Sequence, residues 1–204
     1  YCFVGDVTNE NSIKRICKKL IKNKKSIDVL INNAAVDYKL DKSHLSKAKK
    51  MTIEGFDLDI WKRDLNVGLL GSFICTKIFG HEMAKKKKGV ILNIASDLSF
   101  ISPDNRLYNN GKKLKIFKPI SYSVVKHGII GLTRYTATYW ANKNIRCNAI
   151  APGGIYNNQP KQFLKKISKL IPMGRLAKKN EYEASILYLI SDASSYTNGA
   201  VLSV

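Results

Sequence analysis

The alternation of short apolar runs with longer amphipathic stretches is the feature of this sequence that most restricts its fold. Continuous apolar runs are typical of strands covered on both faces, and residues with helical spacing fill the intervals between them. The predicted strands are "YCFV" (1–4), "IDVLIN" (27–32), "GVILNIAS" (89–96), "IRCNAIA" (145–151) and "AVLSV" (200–204). Strict alternation favours a parallel sheet with helices on both faces, so the predicted fold class is doubly wound α/β.

Helical patterns lie between the predicted strands. In the first pattern Ile13, Cys17 and Leu20 fall on one stripe, and Thr8 or Asn9 is the expected N-cap. The other helical patterns cover 57–85, 121–140, 161–170 and 181–190, and polar loops cover 36–56 and 97–120. No internal repeat and no Pro- or Gly-rich linker divides the chain, so residues 1–204 are predicted to form one domain.

The composition is that of an ordinary globular domain. Of 204 residues, 45% are hydrophobic and 25% are charged, and no apolar run is long enough to cross a membrane. The first residues do not have the pattern of a signal or transit peptide, so a cytoplasmic location is predicted. Cys2, Cys17, Cys75 and Cys147 form no C-x-x-C pair and are interpreted as reduced core thiols. Because the histidines are scattered too, no metal site is predicted.

A formal net charge of +20 is the strongest compositional signal. Such a charge raises nucleic acid or an anionic membrane as a partner. The lysines, however, cluster in "KKLIKNKK", "KAKK" and "KKKKG", without interleaved aromatic residues that would stack on bases. We therefore predict a solvated basic surface with no nucleic-acid and no membrane partner. A basic nucleic-acid-binding protein is kept as an alternative.

Tyr122 and Lys126 stand four residues apart in the helical pattern 121–140. Residues at this spacing share one face of a helix. An ammonium beside a phenol favours the phenolate and lowers the phenol pKa from its usual value of about 10, which brings tyrosine into the range of acid–base work near neutral pH. The alternative is an ordinary helix pair in which the lysine stem packs along the helix and its ammonium reaches water.

Small, polar or tightly turned residues follow the predicted strands. Asp6 comes after the first, "NNAA" (32–35) after the second, Ser96 after the third and "PGG" (152–154) after the fourth. Ligands of parallel α/β sheets bind beyond the carboxyl ends of the strands, so these residues are candidates for a binding site. Capping of the following helix remains the alternative for Asp6. For Ser96, and for Asn66 in the helical pattern 57–85, the alternative is a capping group or a partner for polar groups in the core.

In their order along the chain, each at the end of its element, these residues resemble the landmarks of the short-chain dehydrogenase/reductase family. The landmarks are Asp6, "NNAA", Asn66, Ser96, Tyr122-x-x-x-Lys126 and "PGGI". The resemblance covers residues 1–204 and implies a Rossmann-like sheet in an oxidoreductase. The implied activity is hydride transfer between nicotinamide and a carbonyl or hydroxyl group, with NAD or NADP as the cofactor.

The resemblance also implies a role for each matching residue. Tyr122 is the implied general acid or base, Lys126 lowers its pKa and binds the nicotinamide ribose, and Ser96 holds the substrate oxygen. Asn66 is implied to anchor a water that links Lys126 to solvent. The implied cofactor contacts are Asp6 and Val7 at the adenine, Asn33 and Ala34 at the adjoining ribose and backbone, and Pro152, Gly153 and Ile155 at the nicotinamide, together with Tyr122 and Lys126.

The segment between Ser96 and Tyr122 is longer than in the family pattern, which predicts an inserted loop beside the site. Its cationic side chains are predicted to receive an anionic small-molecule substrate, such as a sugar or nucleotide-sugar derivative. These side chains are Arg106, Lys112, Lys113 and Lys115. Together with "SYSVVKHGIIGLTRYTATYW" (121–140) and "SDASSYTNGA" (191–200), the insertion resembles oxidoreductases of bacterial surface-sugar, polysaccharide and flagellin-glycan biosynthesis.

The family's glycine-rich pyrophosphate turn has no counterpart in this sequence. The first predicted strand matches the family's third, and "VLSV" ends before the family's C-terminal tail. We therefore expect a partial domain without the first β-α-β unit, and we expect the isolated chain to bind cofactor poorly. The missing strands would separate "YCFV" from the rest of the sheet, so this segment is expected to lack a partner.

Two long helical patterns, 57–85 and 122–140, are expected from the resemblance to pair with a second copy. The predicted assembly is a homo-oligomer, either a dimer or a tetramer. A non-catalytic fragment or degenerate paralogue of such an enzyme is a second interpretation of the same residues.

Overall fold

The computed structural model describes residues 1–23, 26–36, 51–108 and 117–204, in which parallel strands alternate with helices. The helices are α1 (Glu10–Lys22), α2 (Leu58–Leu65), α3 (Gly71–Lys86), α4 (Ile120–Tyr139), α5 (Lys161–Ile167) and α6 (Glu183–Ile190). The strands are β1 (Val29–Asn32), β2 (Gly89–Ile94), β3 (Ile145–Ala151) and β4 (Val201–Ser203). They form one parallel sheet in the order β1-β2-β3-β4, which confirms the predicted class.

Helices cover the sheet on both faces, as the apolar runs predict. Neighbouring residues of β2 show this directly, because successive side chains of a strand point to opposite faces. Ile91 packs in a cluster with Met83 of α3 and Ala137 of α4, whereas Leu92 packs with Leu189 of α6. All of these side chains are buried, so the sheet divides the core into two layers. The fold is therefore Rossmann-like and doubly wound.

Buried amides link β1, β2 and α4 inside this core. Asn93 is fully buried; its Oδ1 accepts a hydrogen bond from Nδ2 of Asn32 at 2.8 Å, and its Nδ2 donates to Oγ1 of Thr133 at 2.9 Å. Asn32 also donates to Oγ1 of Thr76 on α3 at 3.0 Å. A buried polar group without a partner costs about 1–3 kcal/mol, so this ladder favours the observed pairing of Asn32 with Asn93 over a shifted register.

The helical pattern predicted from 57 to 85 forms α2 and α3 with a π-helical turn, Asn66–Leu70, between them. The carboxylate of Asp57 accepts from the backbone N–H groups that open α2, and the wider turn is closed by the N–H of Gly71 donating to the carbonyl of Asn66. At α1, Asn9 is the N-cap, one of the two residues predicted for this position. Single π-helical turns occur frequently at functional sites.

Residues 1–4 do not form the predicted strand. Tyr1 and Val4 are exposed, and a strand needs a neighbour to satisfy its backbone N–H and carbonyl groups. The segment has no such neighbour among the described strands, which agrees with the expectation that it lacks a partner.

The interpretation of all the cysteines as core thiols is wrong for Cys2, which is exposed because its segment is not covered by the sheet. It is right for Cys17, Cys75 and Cys147, which are buried. Burial raises the pKa of the Cys75 thiol to about 11 and that of the Cys147 thiol to about 12, so both are poor nucleophiles at neutral pH.

Element boundaries differ from the predictions in the second half of the chain. The pattern 161–170 forms a helix only as far as Ile167, and the pattern 181–190 becomes helical at Glu183 after a short 3₁₀ turn. No helix in the described ranges is long and apolar enough to cross a membrane. In the same part of the chain, no three His, Cys, Asp or Glu side chains group where a metal ion could bind.

Replacing Asn93 with alanine removes its bonds to Asn32 and Thr133, and it opens a small cavity in the core. We expect the free energy of unfolding to fall by about 1–3 kcal/mol, measured by equilibrium urea denaturation. Asn142→Ala, at an exposed position after α4, is the matched control and is expected to change stability by less than about 0.5 kcal/mol. Equal effects of the two changes would contradict a stabilising role for the ladder.

Candidate active site

The carboxyl ends of the parallel strands bring most of the predicted site residues to one edge of the sheet. Backbone hydrogen bonds join the ends of β2 and β3 beyond their last paired residues. The N–H of Ala95 donates to the carbonyl of Ile150 at 2.8 Å, and the N–H of Asp97 donates to that of Pro152 at 3.0 Å. Ser96 therefore lies next to the turn that follows β3.

Helix α4 carries Tyr122 and Lys126 to the same edge. It begins directly after Pro119, whose carbonyl accepts from the N–H of Tyr122 at 3.1 Å. Lys126 is only 6% exposed, and its Nζ donates to the carbonyl of Ile94, the last residue of β2, at 2.7 Å. The same Nζ lies 5.7 Å from the centre of the Tyr122 ring. The ammonium thus donates to the end of β2 and lies on the side of the Tyr122 ring.

Ser99 links Ser96 to helix α4, and the sequence did not predict this role. It is 3% exposed; its Oγ donates to the carbonyl of Lys126 at 2.9 Å and accepts from the N–H of Ser96 at 3.2 Å. One hydroxyl therefore fixes Ser96 relative to Lys126. The available signal was the three-residue spacing of the two serines, which is the spacing of a capping box, but the usual Glu or Gln at its second position is absent.

The Ser96 hydroxyl is buried and caps the 3₁₀ turn Asp97–Ser99. Its Oγ accepts from the N–H of Leu98 at 3.2 Å and donates to Oδ1 of Asp97 at 2.7 Å. Ser96 therefore has the capping role that was its alternative. The same hydroxyl is the predicted substrate contact, so donation to a substrate oxygen requires its proton to turn away from Asp97.

Asn66 lies apart from the other predicted catalytic residues. Among the described residues, no hydrogen bond links it to Ser96, Tyr122 or Lys126. It is exposed, at the start of the π-helical turn. The buried residue of that turn is Gly68, where a Cβ would lie 2.5 Å from Cγ1 of Val125 on α4. Glycine thus lets the turn approach α4 closely beside Lys126, whereas the Asn66 amide lies on the solvent side. Its role stays a prediction.

The predicted adenine end of the site lies near the start of α1. The carboxylate of Asp6 accepts from Oγ1 and from the N–H of Thr8, and both bonds lower the pKa of Asp6. Because Asn9 is the N-cap of α1, Asp6 does not have the capping role that was its alternative. Val7 packs against Gly71, where a Cβ would come within 2.8 Å of it. Asn33 and Ala34 are exposed directly after β1.

The predicted nicotinamide end is a tightly packed turn after β3. The N–H of Gly153 donates to the carbonyl of Val204 at 2.8 Å, and Ile155 forms a bridge with Ala177. At Gly154 a Cβ would lie 2.3 Å from Cδ2 of Leu176, so a side chain at this position would have to displace that of Leu176. The turn is therefore held by its own contacts, next to the end of β2 that carries Ser96.

The inserted loop is described as far as Tyr108, and Lys112, Lys113 and Lys115 lie outside the described residues. Arg106 is exposed and pairs with Asp104 through Nη2 and Oδ2 at 2.7 Å, which lowers the pKa of that carboxyl. Its planar donor group is thus already occupied by a carboxylate. The ring of Tyr108 packs 5.6 Å from that of Phe163, so this part of the loop rests on α5.

Comparisons with known proteins agree with the fold and the motifs. A family model of enoyl-(acyl carrier protein) reductases matches residues 1–204. The 2-dehydro-3-deoxy-D-gluconate 5-dehydrogenase of Bacillus subtilis (strain 168) is 36% identical over 208 residues, which cover 99% of this chain and 72% of that protein. The chain therefore belongs to the short-chain dehydrogenase/reductase family of oxidoreductases, as the motifs indicated.

Solved structures give the same result. A short chain dehydrogenase from Leptospira borgpetersenii, with bound NAD+, is 30% identical and superimposes with a TM-score of 0.86 over 99% of this chain and 72% of that chain. ElxO, solved with bound NADP, is 27% identical, with a TM-score of 0.77 over 98% of this chain and 74% of that chain.

Proposed function

We propose that this protein catalyses hydride transfer between a nicotinamide cofactor, NAD or NADP, and a carbonyl or hydroxyl group of a small molecule. The observation that carries the proposal is the buried Lys126 ammonium, held at the carbonyl of Ile94 and facing the Tyr122 ring. Family membership supports it, and relatives solved with NAD+ and with NADP support the choice of cofactor. The same findings favour an enzyme over a nucleic-acid-binding protein.

When bound, the nicotinamide supplies or accepts the hydride. In the direction of reduction, the Tyr122 hydroxyl donates its proton to the carbonyl oxygen of the substrate, and in oxidation the phenolate accepts it back. Lys126 stabilises the phenolate and binds the ribose, and Ser96 holds the substrate oxygen. Asn66 is proposed to anchor a water between Lys126 and solvent.

The proposed cofactor contacts follow the carboxyl edge of the sheet. Asp6 and Val7 contact the adenine, and Asn33 and Ala34 contact the adjoining ribose and backbone. The turn after β3 contacts the nicotinamide through Pro152, Gly153 and Ile155. The exposure of Asn33 and Ala34 and the fixed geometry of the turn support these assignments.

We propose an anionic sugar derivative as the substrate. The relative named as a 2-dehydro-3-deoxy-D-gluconate 5-dehydrogenase supports a sugar acid. The net charge of +20 supports an anionic ligand, because a basic surface raises the local concentration of anions. Arg106, Lys112, Lys113 and Lys115 are the proposed cationic contacts. A role in surface-sugar or flagellin-glycan biosynthesis remains a prediction from the sequence.

Tyr122→Phe removes the proton donor but keeps the ring. We expect turnover of a keto sugar acid to fall at least about 100-fold, because general acid–base catalysis contributes about 10²–10⁴-fold. Cofactor affinity, measured by calorimetry, is expected to stay within about threefold, since less than about 0.7 kcal/mol of binding depends on this hydroxyl. Tyr196→Phe, which removes a fully exposed hydroxyl away from the site, is the control and keeps full activity.

Undiminished turnover by the Tyr122→Phe protein would overturn the proposed reaction. The same assay tests the substrate class with a panel of keto sugar acids and neutral hydrophobic ketones of similar size. We expect the acids to react with the higher kcat/KM, and a preference for the neutral ketones would overturn the substrate proposal while leaving the reaction intact.

We further propose that α3 and α4 pair with a second copy of the chain, as the resemblance to the family implies. A groove of about 770 Å³ runs along these helices and α1. Its aromatic side chains include Phe73, Tyr135 and Tyr139, which are 48%, 69% and 62% exposed, and the two tyrosine rings stack at 5.9 Å. Exposed aromatic clusters of this kind mark interaction surfaces.

Introducing glutamate at both Tyr135 and Tyr139 places charge in this surface, so we expect the oligomer to dissociate to monomers in analytical ultracentrifugation. Tyr196→Glu is the control, because Tyr196 is fully exposed and does not line the groove. An unchanged sedimentation coefficient for the double variant, or the same loss in the control, would exclude this face as the interface.

A further inference from the structure

A second ammonium lies closer to the Tyr122 ring than that of Lys126. The Nζ of Lys118 is 3.9 Å from the ring centre, compared with 5.7 Å for Lys126. A cation over the face of an aromatic ring within about 6 Å is attracted by the negative face of the ring. Two cations therefore lie near the Tyr122 ring, Lys118 from four residues before it and Lys126 from four residues after it.

The position of Lys118 is fixed by its backbone. Its N–H donates to Oδ1 of Asn105, in the 3₁₀ turn Asn105–Leu107, at 3.3 Å. The next residue is Pro119, which restricts the backbone before it to extended conformations and opens α4. The described part of the inserted loop therefore holds Lys118 at the entrance of α4.

The two lysines differ in environment. Lys126 is almost completely buried and donates to a main-chain carbonyl, whereas Lys118 is half-buried and lies against the ring itself. Lys126 is therefore an internal group at the end of β2. Lys118 is the more exposed of the two lysines.

Other charged groups occupy this end of α4. On α2, Asp64 accepts from Oγ of Ser121 at 2.6 Å and from Nη2 of Arg63 at 3.2 Å. On the turn after β2, Asp97 accepts from Oγ of Ser96. Each of these carboxylates accepts hydrogen bonds from donors of its own. The ammonium groups of Lys118 and Lys126 lie 3.9 Å and 5.7 Å from the centre of the phenol ring.

We propose that Lys118 is a second cation that stabilises the phenolate of Tyr122 and so prepares it to exchange a proton with the substrate. Lys118 is a positioning residue, because it acts through Tyr122, and its contribution to catalysis rests on the proposed hydride-transfer function. Its effect on the phenol is a property of the folded protein and does not depend on turnover.

The sign of the effect follows from electrostatics. A nearby positive charge favours the negative form of a titrating group, so Lys118 lowers the pKa of Tyr122 and its removal raises it. At a separation of about 5 Å and an effective dielectric constant between about 50 and 80, the interaction corresponds to about 0.6–1 pH unit.

The experiment is a spectrophotometric titration of tyrosinate absorbance. The difference between the parent protein and its Tyr122→Phe variant isolates the ionisation of Tyr122, and the same difference is measured in Lys118→Met and Lys118→Arg backgrounds. Methionine keeps the length of the side chain without its charge, and arginine keeps the charge. Lys143→Met, at the other end of α4, is the control for a general loss of charge.

We expect Lys118→Met to raise the midpoint for Tyr122 by about 0.6–1 pH unit, and Lys118→Arg and Lys143→Met to leave it within about 0.2. An unchanged midpoint in Lys118→Met would overturn the proposal, as would an equal shift in Lys143→Met. Circular dichroism of each variant checks that the fold is kept. If Lys118→Met does not fold, the Lys118→Gln protein provides the same comparison.

Kinetics give a second readout. In the direction of alcohol oxidation, which needs the phenolate, Lys118→Met is expected to lose about 3- to 10-fold in kcat/KM at pH 7 and to recover towards the parent as the pH rises above the Tyr122 midpoint. A loss that is equal at every pH would indicate a structural role and overturn the proposal. A raised KM for anionic substrates with an unchanged Tyr122 titration would assign Lys118 to substrate binding instead, and would also overturn it.

Discussion

The site depends on the contact between the end of β2 and helix α4. A buried ammonium is stable only if acceptors replace the water it has lost, and for Lys126 the carbonyl of Ile94 does this at 2.7 Å. Ser99 adds a second connection by bonding both the carbonyl of Lys126 and the N–H of Ser96. These few bonds place a hydroxyl, a phenol and an ammonium at one point of the sheet edge.

The rest of the fold holds that contact in place. The buried amides Asn32 and Asn93 link β1 and β2, and Asn93 continues to Thr133 on α4, the same helix that carries Tyr122. On the other side, the backbone bond from Asp97 to Pro152 joins the end of β2 to the turn after β3. Hydrogen bonds therefore fix the carboxyl ends of the strands, where the candidate site lies. Apolar packing holds the helices on the two faces of the sheet.

The sequence was most informative where one residue type serves one physical need. Asn9 caps α1, four of the five apolar runs form strands, and Tyr122 and Lys126 share a face, because capping, burial and helical spacing are local properties. Ser99 was missed because its bond to Lys126 joins segments that are distant in the sequence. Lys118 is close to Tyr122 in the sequence but precedes the predicted helix, so helical spacing did not connect the two. Asn66 was assigned from the resemblance to the family, and its role stays a prediction. The π-helical turn that it opens, with Gly68 as the buried residue, is a change in phase that a regular helical pattern does not reveal.

The most direct test of the central claim is a crystal structure of the protein with its nicotinamide cofactor and a non-reacting analogue of a keto sugar acid. The carbonyl oxygen of the analogue is predicted to lie within hydrogen-bond distance of both the Tyr122 hydroxyl and Oγ of Ser96, with the Lys126 ammonium still at the carbonyl of Ile94. A structure in which that oxygen binds away from Tyr122 and Ser96, or in which Lys126 has left the end of β2, would contradict the account.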